Sequence, residues 1–272
     1  MNELLSNPAV QGGVAPLIAG LVVAGIGFPL RLSGLAAGAG FLTVLYLTGN
    51  LAFEPLSATR KVALLGLAAP LLGAIADLAF KPTRAAGAVL GAIFGIGSAW
   101  AFWSVLAQKP ATEAAIYGVG VAAFVLCTVA FATSLHAEPI RAGAAGLGLG
   151  LGAGVGAILG ASALIGLYGI ALGAASGGFL LLAMILGKRV SAGTSFTLGA
   201  SVIGSLLAAA AMLLAKLPWY SLAALALVPL AVRLPLPERS HPALQAVVAC
   251  IYSLPVAAGA CALAWMVSRT GS

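Results

Sequence analysis

Residues 142–187 read AGAAGLGLGLGAGVGAILGASALIGLYGIALGAASGGFLLLAMILG, and this stretch decides the fold class. It holds 46 residues without one Asp, Glu, Lys or Arg. As a single helix it would run about 69 Å at 1.5 Å per residue. The hydrocarbon core of a bilayer is only about 30 Å thick. A hairpin of two spans, near 142–161 and 166–187, is the natural solution, with its turn between Gly160 and Gly169.

The same composition extends in both directions. Charged residues make up 7% of the 272-residue chain, apolar residues 62%, and 36 glycines come on top. A typical soluble domain is roughly 25% charged. The chain therefore reads as an all-α, polytopic membrane helix bundle forming one transmembrane domain over residues 1–272. Ten spans of about 20 residues would use most of its length. Besides the hairpin, they are expected at 13–30, 34–53, 61–80, 85–107, 113–135, 195–215, 217–233 and 243–267. The supported range is eight to ten. Met1 to Gly12 lacks the basic stretch and cleavage pattern of a secretory signal, so the first span is expected to be retained.

Charges mark the span ends. With ten spans, one side carries Arg31, Lys81, Arg84, Arg141, Lys188, Arg189, Arg233 and Arg239, and the other Arg60, Lys61, Lys109, Lys216 and Arg269. The excess of basic residues places the first side in the cytoplasm and both termini outside. Halves 1–140 and 141–272 each offer five spans. The pairs Arg60-Lys61 and Lys188-Arg189 each precede the third span of a half. An inverted repeat would produce that arrangement.

The glycines suggest close packing. Gly146, Gly150 and Gly154 are spaced by four, as are Gly148, Gly152 and Gly156. Small residues at this spacing let helix backbones approach. Two such sets on one helix imply neighbours on more than one side. In composition, about a dozen of these residues resemble the first helix of the proton-rotor subunit of ATP synthases. That helix works with a carboxylate on a partner helix. Here no Asp or Glu occurs between Pro139 and Pro237.

Groups able to do chemistry are few. Asp77 is the one acidic residue inside an expected span, and an ionisable residue there is a candidate for ion or proton coupling. Its alternative is a pair with Lys81, four residues on. Thr43, Tyr46 and Asn50 are expected on one helix face, and with Tyr168, Ser201 and Tyr252 they are the candidate lining of a solute path. The alternative for the hydroxyls is a bond to their own helix. Glu54, Arg60, His136, Glu138 and Arg141 would make an interfacial site if one membrane face gathered them. Ser57, Thr59, Arg60 and Lys61 offer a small anion site. Pro70 and Pro255 are expected to kink their helices, and Trp219 and Tyr220 to anchor at the interface.

The three cysteines lie in apolar runs without a CxxC pair, two isolated histidines make no metal site, and no P-loop is present. No cofactor, catalytic residue or nucleic-acid partner is expected. The size and span count are similar to those of drug/metabolite transporters, without a motif of that family. The leading expectation is a small secondary transporter or permease in a bacterial inner membrane, with the lipid bilayer and a small solute as partners. The alternatives are a membrane subunit or scaffold, with a membrane-protein partner or homodimer, and a lipid-interface enzyme.

Overall fold

The computed structural model describes residues 7–30, 32–51, 54–79, 83–237 and 240–270. Among these the chain is an all-α bundle without strands. Its helices are α1 (Val10–Gly27), α2 (Ser33–Leu47), α3 (Ala58–Ala79), α4 (Arg84–Leu106), α5 (Ala111–Thr133), α6 (Pro139–Leu159), α7 (Ala163–Leu186), α8 (Gly193–Leu214), α9 (Trp219–Ala231) and α10 (Pro242–Thr270). Eight are long and apolar enough to cross a membrane, while α2 and α9 are shorter. The first turns of α1, Val10–Val14, are π-helical. The protein is a multi-pass integral membrane protein, because so much apolar helix surface faces outward that only lipid can cover it.

Successive helices run in opposite directions. Lys61 of α3 meets Trp100 of α4, Gly91 of α4 meets Leu126 of α5, and Gly73 of α3 meets Ser195 of α8. The loops therefore gather at two faces. One, the Arg60 face, carries Arg60, Lys61, Lys109 and Lys216. The other, the Arg141 face, carries Asp77, His136, Glu138, Arg141 and Arg233.

The hairpin in 142–187 turns at Gly160–Ser162, between α6 and α7. Helix α6 holds its neighbours by the two glycine sets. Gly150 and Gly154 press on Gly169, Ile170 and Gly173 of α7, so closely that a Cβ on Gly154 would stand 2.7 Å from the Ile170 backbone nitrogen. Gly148 and Gly152 face Val228 and Leu225 of α9, and Ser253 and Ala257 of α10. Helix α7 in turn receives α1 and α2, whose Gly20 and Gly40 both abut Ala175. The most buried of the long helices is α8, enclosed by α3, α5, α6 and α7.

Three boundaries depart from the sequence expectation. The second span ends at Leu47, not near residue 53. Gly49 takes φ +70°, and the Gly49 and Asn50 N–H groups donate to the Tyr46 and Leu45 carbonyls at 3.1 and 2.9 Å. This left-handed cap terminates the helix. At 1.5 Å per residue α2 is then about 22 Å long, short of the hydrocarbon thickness. Helix α9 is broken at Leu227, where Pro229 stands in the first turn of the second piece. Helix α10 continues to Thr270, beyond the expected end.

The glycine contacts predict unequal costs. Gly150→Leu should lower the melting temperature of the detergent-solubilised protein, by overpacking worth about 1–3 kcal/mol or more. Gly259→Ala, where an added Cβ meets nothing within 4 Å, should be neutral or stabilising by about 0.5–1 kcal/mol. Equal melting temperatures for the two variants would refute this account of the α6–α7 contact.

Candidate functional site

The short α2 leaves a cleft at the Arg60 face. Its volume is about 390 Å³, and its lining includes Asn50 after α2, Ser57, Thr59 and Arg60 at the start of α3, and Tyr168 of α7. Polar groups from separate helices thus meet at one place. Gly49 takes the left-handed conformation, and Asn50, whose amide donates to the Thr48 carbonyl at 3.2 Å, lines the cleft with Tyr168 of α7. The apolar walls are Leu45, Ala63 and Leu164.

Tyr168 forms the inner end. Its ring is buried and packs edge-on against Phe41, with centroids 5.9 Å apart. Its hydroxyl lies beside the Thr48 and Asn50 side chains but closes no hydrogen bond of normal geometry. A buried hydroxyl without a partner is costly, and a polar ligand can supply the missing bond. Arg60 donates to the Pro55 carbonyl at 2.8 Å. Arg60 has no carboxylate within ion-pair distance among the described residues, and no acidic residue lines the cleft. The site therefore suits an anionic or hydroxylated small molecule better than a cation.

Asp77 lies at the opposite end of α3. Its two carboxylate oxygens accept the backbone N–H groups of Thr194 and Ser195, at 2.6 and 2.9 Å. These N–H groups open α8, so Asp77 caps that helix from another part of the chain and meets the positive end of its dipole. Gly193, at φ +63°, permits the approach, since a side chain there would run into the carboxylate. The Gly193 N–H donates to the His136 carbonyl at 3.1 Å, which ties the same turn to the end of α5. Lys81, the alternative partner of Asp77, lies outside the described residues.

The remaining candidates are dispersed. Thr43 donates to the Ala39 carbonyl of its own helix at 2.8 Å. Tyr46 is 71% exposed on the outer surface. It does not share a face with Asn50, because α2 has ended before Asn50. Ser201 is buried in α8 and donates to the Thr197 carbonyl at 2.6 Å. Tyr252 is at the Arg141 face and donates to the Pro235 carbonyl at 3.1 Å. Of the interfacial set, Glu54 and Arg60 stand at one face, and His136, Glu138 and Arg141 at the other. Arg141 pairs with Glu138 at 2.8 Å and donates to the Arg233 carbonyl at 3.0 Å. Arg233 donates to Ser134 Oγ and to the Phe131 carbonyl. Trp219 and Tyr220 stack edge to face at the Arg60 end of α9.

Replacing the Asp77 cap should cost stability in graded steps. Asp77→Ala leaves two N–H groups of α8 without their acceptors and should lose about 0.5–2 kcal/mol, while Asp77→Asn keeps one acceptor and should lose less. Thermal unfolding in detergent reads this order, and an unchanged Asp77→Ala melting temperature would contradict the capping role. The chain matches no protein-family model, and comparisons with curated proteins and with solved structures find no match either.

Proposed function

We propose that this membrane protein is a small-solute permease that works by alternating access. The observation that carries the reading is the cleft of Asn50, Ser57, Thr59, Arg60 and Tyr168, a mainly apolar concavity whose lining includes polar groups from several helices. In this reading the solute enters from the Arg60 face, its polar groups take up the Tyr168 hydroxyl and the Arg60 guanidinium, and the bundle closes above it. The close glycine contact of α6 and α7 then serves as the surface on which two groups of helices rock.

Asp77 is the latch of the far gate in this scheme. It holds α3 to the start of α8 at the face opposite the cleft. Loss of those two bonds frees the helix terminus, so their release accompanies opening at the Arg141 face. The larger set of basic residues favours a cytoplasmic position for that face. An all-helical set of spans suits a bacterial inner membrane, whereas spanning proteins of the outer membrane are β-barrels.

The test is uptake into proteoliposomes, using radiolabelled small carboxylates, inorganic phosphate and sugars. At least one of these classes should enter faster than in protein-free vesicles. Arg60→Gln and Tyr168→Phe should each raise its half-saturation concentration about tenfold, the loss of one strong hydrogen bond. Asp77→Asn, whose amide keeps one acceptor, should weaken this latch and speed downhill exchange. No flux for any class, or flux indifferent to both cleft substitutions, would refute the permease reading. Downhill exchange unchanged in Asp77→Asn would refute the latch role alone.

A further inference from the structure

Between α5 and α9 the outer surface carries an apolar groove of about 630 Å³. Gly120 and Ala123 of α5 and Ala223 and Ala226 of α9 supply small side chains along it, with Met212 of α8 also in its lining. The groove exists because small residues line both helices and α9 touches α5 only lightly. From Ile116 to Phe131 along α5 it spans roughly 22 Å, more than the depth of one leaflet.

The end of the groove at the Arg141 face is distinctive. Phe131 lines both the groove and an adjoining polar cavity of about 670 Å³, whose wall includes Ser134, His136, Glu138, Arg141 and Arg233. The Arg233 guanidinium sits over the Phe131 ring, 5.8 Å from its centroid. Glu138 is engaged by Arg141 at 2.8 Å, and Arg233 has no carboxylate partner among the described residues. The cavity wall thus presents two guanidinium groups against one carboxylate. At the other end, the nearby Lys109 sits over Tyr117 and is matched by Glu113 at 4.0 Å. A second apolar furrow, between α7 and α10, has no charged residue in its lining.

We propose that the α5–α9 groove and this cavity form one binding site for an anionic phospholipid. An acyl chain lies along Phe131, Cys127, Leu227 and Leu230, and the headgroup phosphate takes the charge of Arg233. Apolar groove, aromatic joint and cationic mouth follow each other in the order in which a lipid presents its chain, its interfacial region and its phosphate. The inference stands apart from the permease reading, since the groove and the solute cleft are formed by different helices and open to different surroundings.

Native mass spectrometry of the full-length protein in detergent tests it, with dioleoyl phosphatidylglycerol and dioleoyl phosphatidylcholine added in turn. The protein should retain one phosphatidylglycerol in preference to phosphatidylcholine. Arg233→Gln should weaken phosphatidylglycerol retention about fivefold, the worth of one interfacial charge, and Arg233→Lys should restore most of it. Gly120→Leu fills the groove where an added Cβ meets nothing within 4 Å, and it should reduce retention of both lipids without loss of helical circular dichroism. Inorganic phosphate in excess should not displace the lipid. Equal retention of the two lipids by the unaltered protein, displacement by phosphate alone, or retention untouched by both Arg233→Gln and Gly120→Leu would each overturn the proposal.

Discussion

The bundle depends on backbone contact between α6 and α7. Within lipid, helices gain little from burying apolar surface against each other, because the acyl chains they displace are equally apolar. What holds them is close packing, and Gly150 and Gly154 against Gly169 and Gly173 bring two helix backbones into direct contact. The arrangement spreads from there. Ala175 of α7 is met by Gly20 from α1 and by Gly40 from α2, and Gly178 by Leu17 and Leu21 of α1. On the other side, Gly148 and Gly152 of α6 receive α9 and α10. Small residues thus decide which helices become neighbours, and larger ones such as Phe179 and Phe196, stacked 4.1 Å apart, fill the space that remains.

An interior assembled in this way leaves little place for polar groups, and their positions follow from that. Thr128, Thr197 and Ser201 turn their hydroxyls onto carbonyls of their own helices. These bonds satisfy the groups locally and form no path through the bundle. The described charges gather at the two faces, where water and headgroups can reach them. Ser176, Ser195 and Ser221 are buried with hydroxyls that find no partner, and so is Tyr168, whose hydroxyl is directed toward Thr48 and Asn50. The setting of Tyr168 follows from the early end of α2, which opens the bundle at the depth where Tyr168 sits.

Much of this fold is legible in the sequence. Helix limits fall near charges, prolines and polar clusters because these residues remain at the interface, and the charge-free run at 142–187 forces a hairpin by length alone. The four-residue spacing of the glycines announces two packing faces. It cannot name the neighbour on either face, since spacing describes one helix and contact requires two. The end of α2 is less legible, because Thr48-Gly49-Asn50 sits in a run otherwise apolar enough to continue. The cleft shares this difficulty: Asn50, Arg60 and Tyr168 are recognisable as polar groups, but only the end of α2 at Gly49 lets the first line a cleft with the last. Asp77 is the clearest limit. Its partners are 117 and 118 positions away, and backbone N–H groups leave no mark in a residue pattern.

Helix α3 links the two ends of the molecule. Arg60 and Asp77 are 17 positions apart on it, about 26 Å along the axis. Between them Pro70 rests against Gly199 of α8 and Gly38 of α2, where a Cβ on either glycine would crowd the ring. Proline inside a helix removes one backbone hydrogen bond and weakens the rod at that turn. Glycines on both neighbours leave room for the ring and bring three helices together there. Under the permease reading this is a fulcrum. The Arg60 end of α3 forms a wall of the cleft, the Asp77 end holds the start of α8, and both are carried by a helix with one softened point between them. Under that reading, a movement that narrows the cleft would tilt α3 about Pro70 and draw Asp77 away from Thr194 and Ser195. Release of the carboxylate at the far end would then allow the cleft to close. Such a linkage would need no chain of polar residues through the membrane, because it passes movement, not protons, along one helix with a proline held between two glycines.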